Sequence, residues 1–241
     1  MYKNLARALL CAIAAAFIVP HAGAGVGPPL KVAFVYVSPI GDAGWTYQHD
    51  LGRRAMEQAL GDKVRTTVVE SVAEGPDAER VMRDLARQGN KLIFATSFGY
   101  LEPALRVAAD FPDVRFEQAG GYKTAPNLET YNARYYEARY LAGLLAGKVS
   151  KTGVAGYVAG FAVPEVIQGI NAFALGMRAA NPKAVVKVVW LDTWFDPARE
   201  RDAANAFKPA AARLTVGRDG KVYLASVGNG TGYVLRISRD G

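Results

Sequence analysis

The sequence predicts an α/β protein built from doubly wound parallel sheets that are divided between two lobes. From Lys31 onward, short apolar runs rich in β-branched residues alternate with amphipathic stretches of helical periodicity. Nearly continuous apolar runs are typical of parallel strands that are buried on both faces. Their alternation with helices implies right-handed crossovers and a layered structure. The alternation starts again after "SKTG" (150–153), which therefore marks the predicted crossing between the lobes.

In the first lobe, four apolar runs predict strands and the segments around them predict helices. The predicted strands cover 31–37, 64–70, 91–96 and 114–119, and the predicted helices cover 45–60, 77–88, 100–110 and 134–149. The last helix carries a stripe of small residues at Ala142, Gly143, Ala146 and Gly147. Such a stripe permits close packing of a neighbouring backbone, and we expect ordinary packing of this helix on a sheet.

The second lobe is predicted to be shorter, and a different pattern follows it. Strands are predicted over 153–160 and 185–192, and helices over 164–180 and from Pro197. After "DPARERDAANAF" the chain changes to alternating strands separated by "RDG" and "GNGTG". These turn signals are typical of consecutive antiparallel hairpins, as in part of a propeller blade.

The first residues have the organisation of a secretory signal peptide. Lys3 and Arg7 precede an apolar stretch that ends near Val19, and small residues follow up to Ala24. This is the charged, apolar and A-x-A-like order of such peptides, and the run is short for a membrane span. We therefore expect a soluble periplasmic protein. The predicted division is a signal peptide at 1–24, a ligand-binding lobe at 25–149, a partial second lobe at 150–207 and a propeller-like β segment at 208–241.

Residues suited to catalysis or metal binding are scarce outside the predicted signal peptide. The one cysteine is Cys11 and the two histidines are His21 and His49. A processed chain would therefore have no thiol and a single imidazole, which excludes a cysteine nucleophile and a His-rich metal site. No G-x-S-x-G elbow or phosphate-binding glycine motif is present. We expect no enzymatic activity, no metal and no cofactor.

The charge pattern gives no indication of a nucleic-acid partner. The formal net charge is +7, but acidic and basic residues are interspersed, and the chain has no basic block. A nucleic-acid-binding domain usually concentrates its positive charge on one face or stripe. We therefore expect no nucleic-acid partner. We also expect a monomer that binds a small molecule.

A binding site is predicted at the carboxyl ends of the strands, where ligands of open α/β sheets lie. Packing is the favoured interpretation for any single aromatic residue there, but Trp45 and Trp194 both stand beside an aspartate in a loop, and for these two together binding is favoured. Two indoles could hold a flat heteroaromatic ring by stacking, at about 1–3 kcal/mol per contact. Asp42 or Asn132 would then bond to the edge of that ring. The candidate ligand-binding residues are Asp42, Trp45, Tyr47, Ser97, Phe98, Tyr131, Asn132 and Trp194.

Several segments together resemble the basic membrane protein family of ABC importer substrate-binding proteins, which are akin to purine nucleoside receptors. They are "GDAGWTYQHDLGRRAMEQAL", "ATSFGYLEPALRVAADFPDVRFEQAGGYKT", "TYNARYYEARYLAGLLAGK" and "VPEVIQGINAFALGMRAANPKAVVKVVWLDTWFDPARE". The resemblance runs from about Lys31 to Ala204. It implies a type I periplasmic-binding fold whose two lobes close on a purine base or nucleoside, which an ABC permease of the inner membrane then receives. It also places Asp42, Trp45 and Trp194 at positions that contact the base.

The chain departs from the family after the helix that begins at Pro197. Family members continue there with strands and helices that complete the second lobe, whereas here the hairpin segment follows. The resemblance therefore implies an incomplete second lobe and puts lobe closure in doubt. The alternative function is a non-transporting fusion or remnant, in which a receptor lobe is joined to an interaction module of β-repeats. An exported enzyme is a third reading, without a nucleophile–base pair to support it.

Overall fold

The computed structural model describes residues 27–207, together with the backbone of three strands at 212–216, 222–228 and 231–237. The predicted signal peptide lies outside the described residues. The first strand begins at Leu30, so the described fold starts close to the end of that segment. Among the described residues, no helix has both the length and the apolar character needed to cross a membrane.

The first lobe is a five-stranded parallel sheet, in which the first strand of the chain lies between the second and the third, and the fourth and fifth follow the third in order. Its four predicted strands and its predicted helices are confirmed. Its elements are β1 (Leu30–Val35), α1 (Trp45–Leu60), β2 (Val64–Val69), α2 (Pro76–Arg87), β3 (Leu92–Ala95), α3 (Leu101–Asp110), β4 (Arg115–Ala119) and β5 (Leu128–Tyr131). The strand β5 was not predicted, because "LETY" is short and lacks the nearly continuous apolar run on which the other strand predictions rest. It pairs with β4 from Leu128 opposite Phe116 to Tyr131 opposite Ala119.

Helices cover both faces of this sheet, as a doubly wound fold requires. One face packs Ile93 and Phe116 with Met82 and Val107 of α2 and α3 in the main core. The other face packs Phe34 and its neighbours in β1 against Met56 of α1 in a second, smaller cluster. Burial of such side chains stabilises the lobe by roughly 1.5–3 kcal/mol each. The sheet is therefore a rigid base for the loops at its carboxyl edge.

Two facing carboxylates on this sheet give the lobe a pH-dependent stability. Glu117 of β4 is the register partner of Glu129 of β5, and burial, followed by the charge of Glu129, raises the pKa of Glu117. Such a group stabilises the fold below its ordinary pKa, and the contribution is lost as pH rises through the raised value. Replacement of Glu117 by Gln is expected to raise the free energy of unfolding at pH 7 by about 0.5 kcal/mol, the scale of one cross-strand pair.

Urea unfolding at two pH values checks this expectation. At pH 3 both carboxyl groups are protonated, so Glu117→Gln should match the unaltered chain. Glu137→Gln is the matched control, because Glu137 is an exposed carboxylate that pairs with Arg134 at 3.3 Å. A gain that is the same at pH 3 and pH 7, or that the control reproduces, contradicts the assignment.

The second lobe contains two parallel strands that continue into an antiparallel segment. Its elements are α4 (Tyr135–Val149), β6 (Val154–Ala159), α5 (Pro164–Ala180), β7 (Val185–Trp190), α6 (Pro197–Ala206), β8 (Ala212–Val216), β9 (Val222–Gly228) and β10 (Thr231–Ile237). The strand order is β10-β9-β8-β6-β7. The predicted hairpins are confirmed, since β8, β9 and β10 pair antiparallel. They extend the second sheet, because β8 lies parallel to β6 at Ala155 and Ala212.

The small-residue stripe of α4 packs on a helix, so the expectation of packing on a sheet was wrong. A Cβ at Gly143 would lie 2.0 Å from the Phe173 carbonyl oxygen, and one at Gly147 would lie 2.3 Å from that of Met177. From α5, a Cβ at Gly176 would meet the Tyr140 carbonyl oxygen at 2.0 Å. The two backbones are thus in direct contact. The core of this lobe joins Ala146 of α4 to residues of β6 and α5, so α4 packs with the second lobe, although the sequence analysis grouped it with the first.

Candidate functional site

A cavity of about 210 Å³ lies between the lobes, at the carboxyl edges of the two sheets. The first lobe contributes two aromatic rings and two hydroxyl groups, and the second contributes an indole and one charge of each sign. The side chains that the site uses are Ser38, Trp45, Ser97, Phe98, Arg139, Glu165 and Trp194. A mostly apolar cavity with a few convergent polar groups is the usual form of a small-molecule site.

Trp45 is held as a wall of this cavity by the start of α1. The helix begins at Trp45, and the preceding Gly44 has a φ of 93°, a left-handed conformation that favours glycine. The Trp45 Nε1 group donates to the Thr96 carbonyl oxygen at 2.5 Å. The rings of His49 and Tyr135 lie at 4.7 Å and 5.9 Å from the indole, centroid to centroid. The polar edge of Trp45 is therefore already bonded to the protein, and its apolar surface borders the cavity.

Trp194 borders the same cavity from the second lobe. Its ring meets the Phe161 ring edge to face at 4.9 Å. A Cβ at Gly160 would lie 2.9 Å from the indole, so the ring is seated directly on the backbone after β6. Its Nε1 group donates to Oε1 of Glu74, in the first lobe, at 2.9 Å. Like Trp45, Trp194 has its one polar group occupied within the protein.

The loop after β3 brings Ser97 and Phe98 to the cavity, as the sequence predicts. Ser97 is almost completely buried, and its hydroxyl donates to Glu74 Oε1 at 2.7 Å. Phe98 begins a short 3₁₀ turn, and its ring lies 6.1 Å from that of Tyr122. Ser97 thus has a defined orientation before any ligand arrives.

The structure places the other four candidates outside the lining of this cavity. Asp42 is exposed on the turn before α1, and Tyr47 is half-buried one position along the helix from the buried Thr46. Asn132 is exposed, and its amide nitrogen lies 3.5 Å from Glu165 Oε2. Tyr131 packs at 6.0 Å from the His49 ring and belongs to the layer behind Trp45.

Tyr131 also has a buried hydroxyl group that forms no hydrogen bond within the described residues. Burial, followed by the negative charges of neighbouring groups, raises the pKa of its phenol well above the ordinary range. The hydroxyl is therefore neutral at every physiological pH. Tyr131 packs behind Trp45 and therefore supports this side of the cavity without lining it.

Three charged residues that the sequence analysis did not select lie in or beside the site. Glu165 stands in the first turn of α5, and burial raises its pKa, against weaker opposing effects of Asn132 and Arg139. Arg139 of α4 lines the cavity and lies 5.9 Å from the Tyr157 ring centroid. Glu74 lies between β2 and α2 and accepts bonds from both lobes. Glu74 and Glu165 both follow the carboxyl end of a strand, so the rule that selected Trp45 could have found them.

The arrangement is suited to binding a small molecule. The ring nitrogen Nδ1 of His49 donates to the Trp45 carbonyl oxygen at 2.9 Å, and burial lowers the pKa of this imidazole. The residue thus supports Trp45 as a neutral ring. In the part of the chain that the structure describes, no group of three His, Cys, Asp or Glu residues could hold a metal ion.

Two α/β lobes that share an aromatic cleft at the carboxyl edges of their sheets define a solute-binding protein of the periplasmic type. The model of the Bmp family, described as ABC transporter substrate-binding protein PnrA-like, matches residues 30–211. The chain therefore belongs to this family. Members of the family bind a substrate and are not enzymes.

Known relatives match the chain over most of its length. A purine-binding protein of Brucella abortus is 59% identical over 177 residues, which are 73% of this chain and 51% of the relative. A putative ABC transporter glucose-binding protein of Haloferax volcanii is 46% identical over 184 residues, with 76% of this chain and 46% of the relative covered. The chain thus spans about half the length of the curated relatives it matches.

Solved structures agree with the family at the level of the fold. An ABC transporter solute-binding protein from Conexibacter woesei aligns with a TM-score of 0.55 and 27% identity, over 75% of this chain and 61% of that one. A second, from Aeropyrum pernix, aligns with a TM-score of 0.64 and 23% identity, over 76% and 53%. The fold is that of ABC transporter solute-binding proteins.

Proposed function

We propose that this chain binds a purine base or nucleoside between its lobes, as the periplasmic substrate-binding component of an ABC importer. The observation that carries the proposal is the presence of two indoles, Trp45 and Trp194, on one cavity between the lobes. The 59% identity to the purine-binding protein of Brucella abortus supports the ligand class. The ligand-loaded protein would deliver its cargo to a permease of the inner membrane after hinge closure.

The chemistry of the cavity fits a flat ring with a polar edge. Both indole N–H groups are bonded to the protein, so the π-faces are what the two residues offer a ligand. Stacking is worth about 1–3 kcal/mol per base. Ser38, Arg139 and Glu165 supply donors and acceptors for the ring edge, where an unmade hydrogen bond costs about 1–3 kcal/mol. A purine has both the face and the edge that this set of groups recognises.

The size of the cavity favours a free base over a larger ligand. A volume of about 210 Å³ lies below the roughly 300–1,000 Å³ of sites for drug-sized ligands. Adenine is the smallest aminopurine and is the first ligand to test.

Edge recognition is assigned first to Glu165, because it lines the cavity and Asp42 does not. The role that the family resemblance implies for Asp42 requires the turn at 41–44 to move toward the ligand. Asn132 lies beside Glu165 Oε2 at 3.5 Å, and its contact with a ligand would require a movement of the lobes. These roles belong to the proposal and are separable by single substitutions.

Thermal unfolding with a panel of ligands tests the proposal. Adenine at 100 times its dissociation constant should stabilise the exported protein by about 2.7 kcal/mol, which corresponds to a rise in Tm of about 5–10 °C. Adenosine and guanine should give smaller rises, and calorimetric titration should give saturable heats. Glucose is a control because the Haloferax volcanii relative is named as a putative glucose-binding protein. Riboflavin is a control for a larger flat ring. The absence of a response to every purine, or a response to glucose alone, contradicts the ligand assignment.

A further inference from the structure

Glu74 accepts several hydrogen bonds on a single carboxylate oxygen. Three donors meet at its Oε1 atom: Ser97 Oγ at 2.7 Å, the Gly99 amide at 2.8 Å and Trp194 Nε1 at 2.9 Å. The first two belong to the first lobe and the third belongs to the second. Bonds to an ionised acceptor are shorter and about twice as strong as neutral ones. The carboxylate is therefore fixed in position and joins the two lobes through one indole.

Gly99 provides the space that this carboxylate occupies. A Cβ at Gly99 would lie 2.3 Å from the Glu74 carboxyl carbon and 2.5 Å from its Oε2 atom. No side chain at this position fits beside Glu74 in its present place. The obstructing atoms are the far end of a flexible side chain, so a larger residue at 99 would displace the carboxylate and leave the backbone in place.

The second lobe by itself fixes only part of the orientation of Trp194, so the hydrogen bond to Glu74 is needed to fix the rest. Phe161 and Gly160 contact the ring from within the second lobe, but these are apolar contacts without direction. The bond to Glu74 is directional and sets the rotation of the indole. The same ring also separates the cleft cavity from a neighbouring cavity that Glu74 lines. A rotation of Trp194 would therefore merge or close the space in which the ligand is proposed to lie.

We propose that Glu74 is a positioning residue, which holds the Trp194 indole as a wall of the cleft and thereby couples the orientation of the second lobe to the first. The proposal rests on the proposed function for its effect on affinity, and on the structure alone for its effect on the indole. Glu74 sets the ring before binding, so the ligand does not have to order it.

The effect on the indole is measured without any ligand. In a chain that carries Trp45→Phe and Trp190→Phe, all tryptophan emission comes from Trp194. Glu74→Ala is expected to shift this emission to the red and to raise the acrylamide quenching constant at least twofold. Gly99→Ala should do the same, although the carboxylate is still present. Glu74→Gln should stay close to the parent, because its amide oxygen still accepts the indole N–H.

The matched control is Glu102→Gln, since Glu102 is an exposed carboxylate at the start of α3 whose partner is Lys123. It should leave Trp194 emission unchanged, and far-UV circular dichroism should be the same for all variants. Identical Trp194 emission in the parent, Glu74→Ala and Gly99→Ala overturns the proposal, whether or not the protein binds a purine.

The effect on affinity is then measured by calorimetry in the chain with all three tryptophans. Glu74→Ala is expected to weaken adenine binding about tenfold, the loss of one charge-assisted bond that positions a stacking ring. Glu74→Gln should weaken it less. If the unaltered chain binds no purine, the proposed function fails while the emission data still decide the role of Glu74. If it binds adenine and Glu74→Ala binds equally well, the coupling to the ligand is wrong.

Discussion

Trp194→Ala is expected to lower the affinity for adenine by roughly tenfold to a hundredfold, the equivalent of about 1–3 kcal/mol of lost base stacking. The ring lines the cleft cavity from the second lobe, opposite the groups that the first lobe supplies. Its removal also leaves the Glu74 carboxylate without one of its donors. Calorimetric titration gives the dissociation constants, and Trp194→Phe should restore part of the loss because phenylalanine keeps an aromatic face.

Trp190→Ala is the matched control for this expectation. Trp190 ends β7 four residues before Trp194, is 39% exposed and does not line the cleft cavity. It tests the loss of an indole from the same segment without a change in the site. Equal losses of affinity in the two variants, or no loss in Trp194→Ala, would show that stacking on Trp194 does not contribute to binding.

Gly143→Ala is expected to lower the free energy of unfolding by about 1–3 kcal/mol or more, because overpacking of a close contact carries a cost of this size. The new Cβ would lie 2.0 Å from the Phe173 carbonyl oxygen and 2.9 Å from its Cα atom. These obstructing atoms are backbone atoms of α5, so no side-chain rotation relieves the clash. The helices would have to separate, and the core around Ala146 and Phe173 would lose contacts. Urea unfolding measures the change.

The same substitution in another helix, Gly52→Ala, is expected to change the stability in the opposite direction. Gly52 lies in the middle of α1, is exposed and has no atom within 4 Å of the position of a new Cβ. Alanine there should stabilise the protein by about 0.5–1 kcal/mol, because glycine loses more backbone entropy in a helix. If Gly143→Ala were as stable as Gly52→Ala, the direct contact between α4 and α5 would be wrong.

Most elements of the fold could be predicted from local sequence patterns. The runs that became β2 and β7 are rich in β-branched residues, and the amphipathic stretches between strands became helices with nearly the predicted bounds. The strand β5 could not be predicted in this way, because its four residues are stable only through pairing with β4. The sequence also did not indicate which element packs against the small-residue stripe of α4, because a small residue indicates a close approach but not what approaches.

The candidate site was predicted in part, for a physical reason. Trp45 and Trp194 are far apart in the sequence, but each follows a strand, and the carboxyl ends of parallel strands lie at one edge of their sheet. The same rule also selected Asp42, which lies on the exposed part of its loop. Glu74 also follows a strand, but nothing else in the sequence distinguishes a glutamate in a polar loop, and its role is apparent only when its three donors are seen together.

The sequence by itself determined the fold class, the family and the aromatic character of the site, because all three depend on local patterns of side-chain type. Only the tertiary structure decided which groups line the same cavity, which helix packs against Gly143 and which residue accepts the hydrogen bond of the Trp194 indole. These outcomes depend on how separate segments meet in space. The bond between Glu74 and Trp194 joins residues 120 positions apart. It exists because the two lobes place their loops at a common cleft, and no local pattern along the chain indicates that these two residues meet.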